Sequence, residues 1–509
     1  MGANGGSGYV PPRRGGITPP PPSGVMVGNT LVVSTEGNDA TGLREDWAFH
    51  FRTIQGARTA SLSGDVIVVF PDNYTVIGAA WADGRSMFCH PNVILTSSGS
   101  PYVSVTNFRL TGYADIVTTN TGGGFGSDVF FQFNSWQSDD EIQFAGTDIT
   151  FEGYNDITAL GIPSGSPDYG ILRIAVTTAN ATIKIKFRNL ILPATAGTFC
   201  MGIIVHAGDA ASNSNFYIEC DSILKETRGK AFGVVKYGPN NGLNYNVFFT
   251  CKNIIDSSDS PESCIDVRNL SNGTAADPQY GIYVNYKSIV CSGSTPGIFV
   301  AASWNVNING QYLQTQTGKL ISLTNATTST GDNGCGNTSI TTGVYRVAGT
   351  TSAIDIESIQ GYSLNLLYPG QANQSQGEIN INGSEAAVTC VGKITGYYNA
   401  AGIVVAASIY IQESEKNVFL WLQDFDLLDA SNGDAAILFV GGNLVPPPYL
   451  FLKNVLIETD GISCIDTDAA TLIAVQNNAC SSNKPLSALC TNVIVGTQII
   501  VNSNITVFP

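Results

Sequence analysis

The chain has 509 residues, of which only 13% are charged, with 55 glycines and a net charge of −16. This length is large for a single globular core but usual for a solenoid. The acidic balance, with no basic run longer than Arg13-Arg14, argues against binding to nucleic acid. We also predict no membrane insertion, because no apolar stretch is long enough to span a bilayer.

Residues 1–27 are rich in Gly, Ser and Pro and contain Pro11-Pro12-Arg13-Arg14. Such a segment cannot bury a core, and its Pro runs favour extended polyproline II. It is either a disordered tail or an arm that becomes ordered on a partner. We favour docking through Pro11, Pro12, Arg13 and Arg14, because a stiff extended arm loses little entropy on binding. Since the first residues lack the features of a signal peptide, we expect synthesis in a reducing cytoplasm.

Residues 28–98 are predicted to form a small N-terminal module. The pattern predicts a strand over residues 31–34, a turn over 37–42, an amphipathic helix over 51–60, and a turn and strand over 64–74. A helix followed by the first strands would cap the open apolar end of a solenoid. The alternative is an independent α+β domain.

Residues 99–490 repeat a short pattern of a small residue, an apolar residue, any residue and usually another apolar residue. The copies begin at Gly202, Gly233, Cys264, Gly297, Ala353, Gly402, Ala436 and Cys464. A second set of strands precedes many copies, over residues 185–191, 217–223, 247–254, 282–289 and 450–456. Most neighbouring copies are 28 to 34 residues apart, which indicates one β unit stacked many times.

This periodicity predicts an all-β chain folded as a parallel β-helix solenoid, with a β-sandwich as the alternative. The register slips at Leu320, which follows Gly297 by only 23 residues, and again over residues 379–390. Loop insertions or a missing strand would explain both slips. Residues 491–509 are predicted to form two short strands that close the last coil.

The chain has 11 cysteines, no CxxC motif and only three histidines. In a reducing cytoplasm the thiols are expected to act as small buried hydrophobic groups. Adjacent Cys89 and His90 are better explained as a structural pair than as a reactive thiol. Since no His or Cys pair has ligand spacing, we predict no metal site and no cofactor.

Two segments combine acids with an aromatic ring, as a site that cleaves polysaccharides requires. The first is Asp139-Asp140-Glu141, which follows Trp136; an exposed acidic turn is the structural alternative.

The second segment is Trp421 with Asp424 and Asp426, which strand alternation places on one face; an outward polar strand is the alternative. Trp136 and Trp421 are the candidate glycan-binding residues. A third acid, Asp266, is expected to form a surface pair with Arg268.

Residues 33–74, including Val33-Ser34, the turn, the helix and Pro71-Asp72-Asn73-Tyr74, resemble the N-terminal cap of pectin-lyase-fold proteins. These proteins are right-handed parallel β-helices and include many bacteriophage tailspikes and tail fibres. The chain has Asp72-Asn73 where Gly is frequent before the Tyr. The resemblance implies a homotrimer in the virion tail, made in the bacterial cytoplasm, that docks to a tail or adaptor protein and binds host surface polysaccharide.

Three functions are compatible with this resemblance: a tail fibre or tailspike for attachment, a polysaccharide depolymerase on the same solenoid, and a head fibre or decoration protein. The Asn-Thr-Asp, Gly-His-Gly and Arg-Ile-Lys motifs of pectin-degrading hydrolases are absent from the sequence, as is an Asp-rich calcium cluster. Polygalacturonase and pectate lyase activities are therefore disfavoured. A tailspike-type hydrolase stays open, because its carboxylates can come from distant positions or neighbouring chains.

Overall fold

A computed structural model provides the structure of the chain. It describes residues 29–76, 84–97, 106–119, 123–161, 170–194, 201–206, 211–236, 245–269, 280–301, 303–324, 336–348, 352–368, 378–383, 390–400, 407–413, 418–429, 435–441, 449–460, 463–467, 474–482 and 506–507. The arm of residues 1–27, with Pro11, Pro12, Arg13 and Arg14, lies outside these ranges, as does most of the C-terminal segment 491–509.

Within the described ranges, the N-terminal third contains one helix and short strands. The elements are β1 Thr30–Val33, α1 Ile54–Ala60, β2 Val66–Val69, β3 Asp72–Thr75, β4 Ser86–Cys89, β5 Val93–Ser97, β6 Phe108–Gly112, β7 Asp115–Thr118, β8 Gly123–Phe125, β9 Val129–Phe133, β10 Ser135–Ser138, β11 Ile142–Phe144, β12 Ile149–Gly153, β13 Asp156–Ala159 and β14 Gly170–Ile174.

From residue 182 onward, long strands alternate with short ones. They are β15 Thr182–Leu192, β16 Met201–Val205, β17 Ser214–Lys225, β18 Phe232–Lys236, β19 Tyr245–Asp256, β20 Ile265–Asn269, β21 Ile282–Cys291, β22 Ile298–Ala301, β23 Trp304–Thr315, β24 Ile321–Thr324, β25 Gly336–Arg346, β26 Ile354–Glu357, β27 Gln360–Leu367, β28 Ile379–Asn382, β29 Cys390–Asn399, β30 Ile409–Glu413, β31 Val418–Asp429, β32 Ala435–Gly441, β33 Tyr449–Thr459, β34 Ser463–Thr467, β35 Ala474–Ser482 and β36 Thr506–Val507.

Every strand pairing within the described ranges is parallel and joins one coil to the next, so the predicted parallel β-helix is confirmed. The first face comprises β1, β2, β4, β6, β9, β12 and the first halves of the long strands. The second face comprises β3, β5, β7, β10, β13 and the second halves. The third face is the 13-stranded sheet of the even-numbered strands β14 to β34 with β8 and β11.

A bend divides the long strands between the first two faces. In β15, β17, β19 and β21 inward and outward residues alternate until two consecutive residues face outward, as at Arg188 and Asn189 in β15. The alternation then resumes with the opposite phase. The early coils have two short separate strands at this place, such as β12 and β13. From β15 onward a single bent strand replaces them, and β15 pairs with both β12 and β13.

The core is a set of apolar ladders inside the coils. In β15, Ile183, Ile185 and Phe187 point inward and are buried, and the next coil continues each column in register. Phe232 and Phe249 stack across the interior with ring centroids 4.0 Å apart. Each such side chain contributes about 1.5–3 kcal/mol by leaving water.

The repeats that blurred the sequence register are intact coils. β24 and β28 both continue the ladder of the third face, so neither slip reflects a missing strand. The copy that begins at Gly402 lies outside the described residues, and β30, over Ile409–Glu413, occupies the place between β28 and β32. At the C-terminus, β36 pairs with Ser481 and Ser482 of β35.

The helix α1 packs against β1 and β2, the first strands of the first face. It is shorter than predicted because Thr53 is its N-cap, whose hydroxyl accepts a hydrogen bond from the Gly56 N–H at 2.9 Å. Ile54 and Ala57 are buried, as the amphipathic pattern predicted.

Seven cysteines lie in the part of the chain whose side chains are described, and all are buried free thiols: Cys89, Cys220, Cys251, Cys264, Cys291, Cys390 and Cys464. Burial raises the pKa of Cys390 to about 12. For these seven the prediction of buried small hydrophobic groups is confirmed.

Candidate functional site

The acidic turn Asp139-Asp140-Glu141 joins β10 of the second face to β11 of the third. Asp139 and Asp140 are half-buried, whereas Glu141 is only 9% exposed. The Asp140 carboxylate accepts a hydrogen bond from the Glu141 N–H at 2.7 Å, which fixes the turn. The turn therefore differs from the exposed acidic loop that was its structural alternative, because its last carboxyl is buried.

Trp136 cannot serve as a sugar platform, so that prediction is wrong. Its side chain is fully buried, packs against Phe133 with centroids 5.5 Å apart, and donates its indole N–H to the Thr118 hydroxyl at 3.1 Å. Phe125, Phe131 and Phe151 complete the surrounding cluster. The ring is thus a core residue of the early coils, with no face available to a ligand.

Glu141 forms a three-residue cluster with side chains from the two following coils. Arg173 of β14 lies with Nη1 3.3 Å from Glu141 Oε1. The other terminal nitrogen of Arg173 lies 3.5 Å from Nδ1 of His206, which directly follows β16. Since β11, β14 and β16 are neighbours in register, the parallel stacking itself brings these residues together.

Burial raises the pKa of Glu141 to about 7, even though the Arg173 guanidinium acts to lower it. The second oxygen, Oε2, is buried without a hydrogen-bond partner in the described structure. A carboxyl of this kind holds a proton near neutral pH and can give it up, which is the property of a general acid. Glu378, which directly precedes β28 on the same sheet, also has its pKa raised to about 7 by burial.

The second predicted site lies near the C-terminal end of the first face. Trp421 points outward and is half-buried near Tyr449, at 6.4 Å between centroids. Asp424 and Asp426 are both exposed and flank buried Phe425, as alternation predicted, and Asp424 is the bend residue, with φ of 49°. Asn454 donates a 2.9 Å hydrogen bond that lowers the pKa of Asp424, so this carboxylate is an anion unsuited to proton donation.

Asp266 and Arg268 form the expected pair, but the carboxylate is not at the surface, whereas the Arg268 side chain is 31% exposed. Asp266 is fully buried, and Arg268 contacts both of its oxygens, with Nε–Oδ1 at 2.7 Å and Nη2–Oδ2 at 2.6 Å. Lys230 lies 3.4 Å from the same carboxylate. A carboxylate held by two cations is a structural group on the third face.

An exposed aromatic ladder on the first face was not predicted. Tyr217, Phe248 and Tyr283 occupy the same register position of β17, β19 and β21. Their rings stack with centroids 4.9 and 5.0 Å apart and interplanar angles of 7°. These separations match the ~4.8 Å distance between neighbouring strands, so the stack follows from in-register pairing. Tyr217 is 41% exposed and Tyr283 is 38% exposed.

Both missed features join residues that are far apart in sequence. The three aromatic residues belong to strands that the repeat pattern identified, so aligning those strands in register would have revealed the ladder. For Arg173 and His206 the signal was weaker, because the small-residue pattern begins only at Gly202, after Glu141 and Arg173.

Within the described ranges, no cluster of three or more His, Cys, Asp or Glu side chains could hold a metal ion. The helical part of the described structure also contains nothing long and apolar enough to cross a membrane.

Comparison with family models, with curated proteins and with solved structures found no match for this chain.

Proposed function

We propose that this chain is a structural virion protein, a bacteriophage tail fibre or tailspike subunit that attaches the particle to glycans on the host surface. The observation that carries the proposal is the exposed ladder of Tyr217, Phe248 and Tyr283 on a regular solenoid face. The sequence resemblance of residues 33–74 to the cap of phage tailspikes supports the same assignment.

The ladder has the chemistry that glycan recognition uses. The apolar C–H face of a sugar packs against aromatic rings, while its hydroxyl groups need polar partners nearby. Thr250 and Asn285 lie beside the ladder on the same outward face and supply such groups. The rigid backbone of the coils holds all these side chains at fixed spacing, which lowers the entropic cost of binding.

A homotrimer is part of the proposal, and the second face supports it. Ile191, Leu224, Ile255 and Val290 form one outward aliphatic column in register across β15 to β21. Ile255 is 45% exposed. A second copy of the chain that covers this column would remove its apolar surface from water. The arm of residues 1–27 would dock the trimer to a tail or adaptor protein, and deleting it is expected to abolish incorporation into virions.

The attachment function is tested by binding to an array of bacterial surface polysaccharides. Replacing Tyr217 and Tyr283 with Ser should weaken binding about tenfold, as expected for the loss of two aromatic contacts of roughly 0.5–1.5 kcal/mol each. The control variant replaces Tyr113 and Tyr368, which are more exposed but lie outside the ladder. Equal weakening in both variants, or no binding by the native chain, would reject the proposal.

A second function, glycoside hydrolysis, is favoured by the raised pKa of Glu141, to about 7. Glu141 would donate the proton to the leaving group, and Asp139 or Asp140 of the same turn would supply the second carboxylate that this chemistry requires. The assay is release of new reducing ends from the polysaccharides that bind. Glu141→Gln should abolish release, whereas Glu226→Gln, at an exposed position, should not. Full activity of Glu141→Gln would exclude Glu141 as the acid.

A further inference from the structure

The aromatic ladder lies inside a larger grid of outward side chains on the first face. Four adjacent strands, β15, β17, β19 and β21, each contribute three outward positions in register. The rows are Lys184, Lys186 and Arg188; Tyr217, Glu219 and Asp221; Phe248, Thr250 and Lys252; and Tyr283, Asn285 and Lys287. We call these twelve positions the basic–aromatic grid.

The charge of the grid is opposite to that of the whole molecule. It contains five basic and two acidic residues, a net charge of +3, while the complete chain carries −16 and the remainder therefore −19. A chain with only 24 Lys and Arg residues thus places five of them on four strands of one face. Such a local reversal of sign attracts anions to one place on an otherwise acidic surface.

Both acids of the grid are already paired. Lys186 Nζ lies 3.1 Å from Glu219 Oε1, and Lys252 Nζ lies 2.6 Å from Asp221 Oδ1. In the described part of the structure no carboxylate forms an ion pair with the three other cations, Lys184, Arg188 and Lys287, and all three are exposed. The grid therefore presents three uncompensated positive charges around the ladder.

Neutral residues border the grid on three sides. On one side of its columns stand Thr182, Asn215 and Asn246, and on the other stand Asn189, Ser222, Asn253 and Ser288. The next strand, β23, adds Asn307, Asn309 and Gln311. On the fourth side Glu152 of β12 stands beside Lys186 and bonds to Gln132. Amide and hydroxyl groups at the border suit a hydroxyl-rich ligand.

We propose that the basic–aromatic grid binds a polyanionic glycan, with the ladder of Tyr217, Phe248 and Tyr283 against its sugar rings and Lys184, Arg188 and Lys287 against its carboxylate or phosphate groups. The inference rests on the proposed attachment function and specifies its ligand class. A polymer that carries several charges can reach cations on both β15 and β21, which lie three strand steps of ~4.8 Å apart. Aromatic rings favour a sugar polymer over a simple inorganic anion.

The test compares carboxylated, phosphorylated and neutral bacterial polysaccharides on one array, with the full chain as analyte. The variant Lys184→Gln, Arg188→Gln, Lys287→Gln removes the three uncompensated charges. Its affinity for the acidic polymers should fall about tenfold to a hundredfold, as three exposed charge contacts predict. Raising the ionic strength should weaken native binding in the same way, because exposed pairs are screened. The control variant Arg52→Gln, Arg228→Gln, Lys453→Gln removes three exposed charges outside the grid and should bind as the native chain does.

The outcomes separate this inference from the attachment function. Binding of neutral polymers alone, or unchanged affinity in the grid variant, overturns the polyanion inference and leaves attachment standing. Absence of binding to every polymer rejects both. Equal binding to anionic lipid vesicles or to DNA would make the grid an unspecific polyanion surface and overturn the inference. A lower native mass for the grid variant by light scattering would make the grid a contact between copies, which also overturns it.

Discussion

Replacing Glu141 with Gln should stabilise the chain at neutral pH and make its stability less dependent on pH. Burial raises the pKa of this carboxyl from 4.5 to about 7. Between these values the folded chain holds a proton that the unfolded chain has released, so stability falls as the pH rises through this window. At 1.36 kcal/mol per pKa unit, the loss is about 3 kcal/mol once the pH exceeds the folded-state value. The Gln side chain does not titrate, so Glu141→Gln avoids this loss of stability. The net gain is smaller than about 3 kcal/mol by the free energy that is lost when Arg173 has no carboxylate partner.

The assay is urea unfolding at about pH 5 and about pH 8, with hydrogen exchange of β11 and β14 as the local measure. The native chain should lose stability between the two conditions, and Glu141→Gln should lose less. The exposed control, Glu226→Gln, should follow the native chain. A Gln variant less stable than the native chain at about pH 8 would refute the reasoning, because the ion pair with Arg173 would then outweigh the burial of the charge.

Three further changes probe the solenoid by urea unfolding. Lys225→Met should lower the free energy of unfolding by about 3–5 kcal/mol, because Lys225 and Asp256 form a fully buried ion pair at 2.6 Å. Adding Asp256→Leu should restore most of this stability, and a double variant without recovery would contradict the reasoning. Gly112→Ala should lower the free energy of unfolding by about 1–3 kcal/mol or more, since Gly112 has φ of 110° and a Cβ there would lie 2.0 Å from a backbone oxygen. The control Gly361→Ala should lower it less, because Gly361 also has positive φ but the nearest atom to its Cβ would be 3.5 Å away. Trp136→Ala should cost about 3–5 kcal/mol without changing glycan affinity; a specific loss of binding would return this ring to the ligand site.

The fold was predictable because inward positions repeat with each coil. Cys264 and Gly297 directly precede β20 and β22, two strands of the third face that lie where the pattern predicted them and that pair in register. The bend in the long strands was not predictable from alternation, because the phase changes where two consecutive residues face outward. Counting still placed Asp424 and Asp426 correctly, because both are exposed and flank buried Phe425.

The candidate sites depended on information that one strand does not contain. Trp136 lies in a strand of four residues, Ser135–Ser138, and alternation alone cannot decide which half of so short a strand points inward. Glu141 acquires its raised pKa from burial, which outweighs the lowering effect of Arg173, a residue 32 positions away in sequence. The grid needs the register of four strands at once, although each strand had been recognised separately.

The parallel pairing has a mechanical consequence. Within the described ranges the first face has 17 strands, from β1 to β35, and the 16 steps of ~4.8 Å between them extend about 77 Å. The hydrogen bonds between coils point along this length. A force applied along the solenoid axis to a whole coil is shared by all the hydrogen bonds of that coil, so the solenoid is stiff along its axis. A pull on one chain end loads only the outermost strand, and coils then detach one after another, because each contacts only its neighbours. The solenoid therefore resists axial force well, but it resists poorly a force that pulls the terminal strand away from its neighbour.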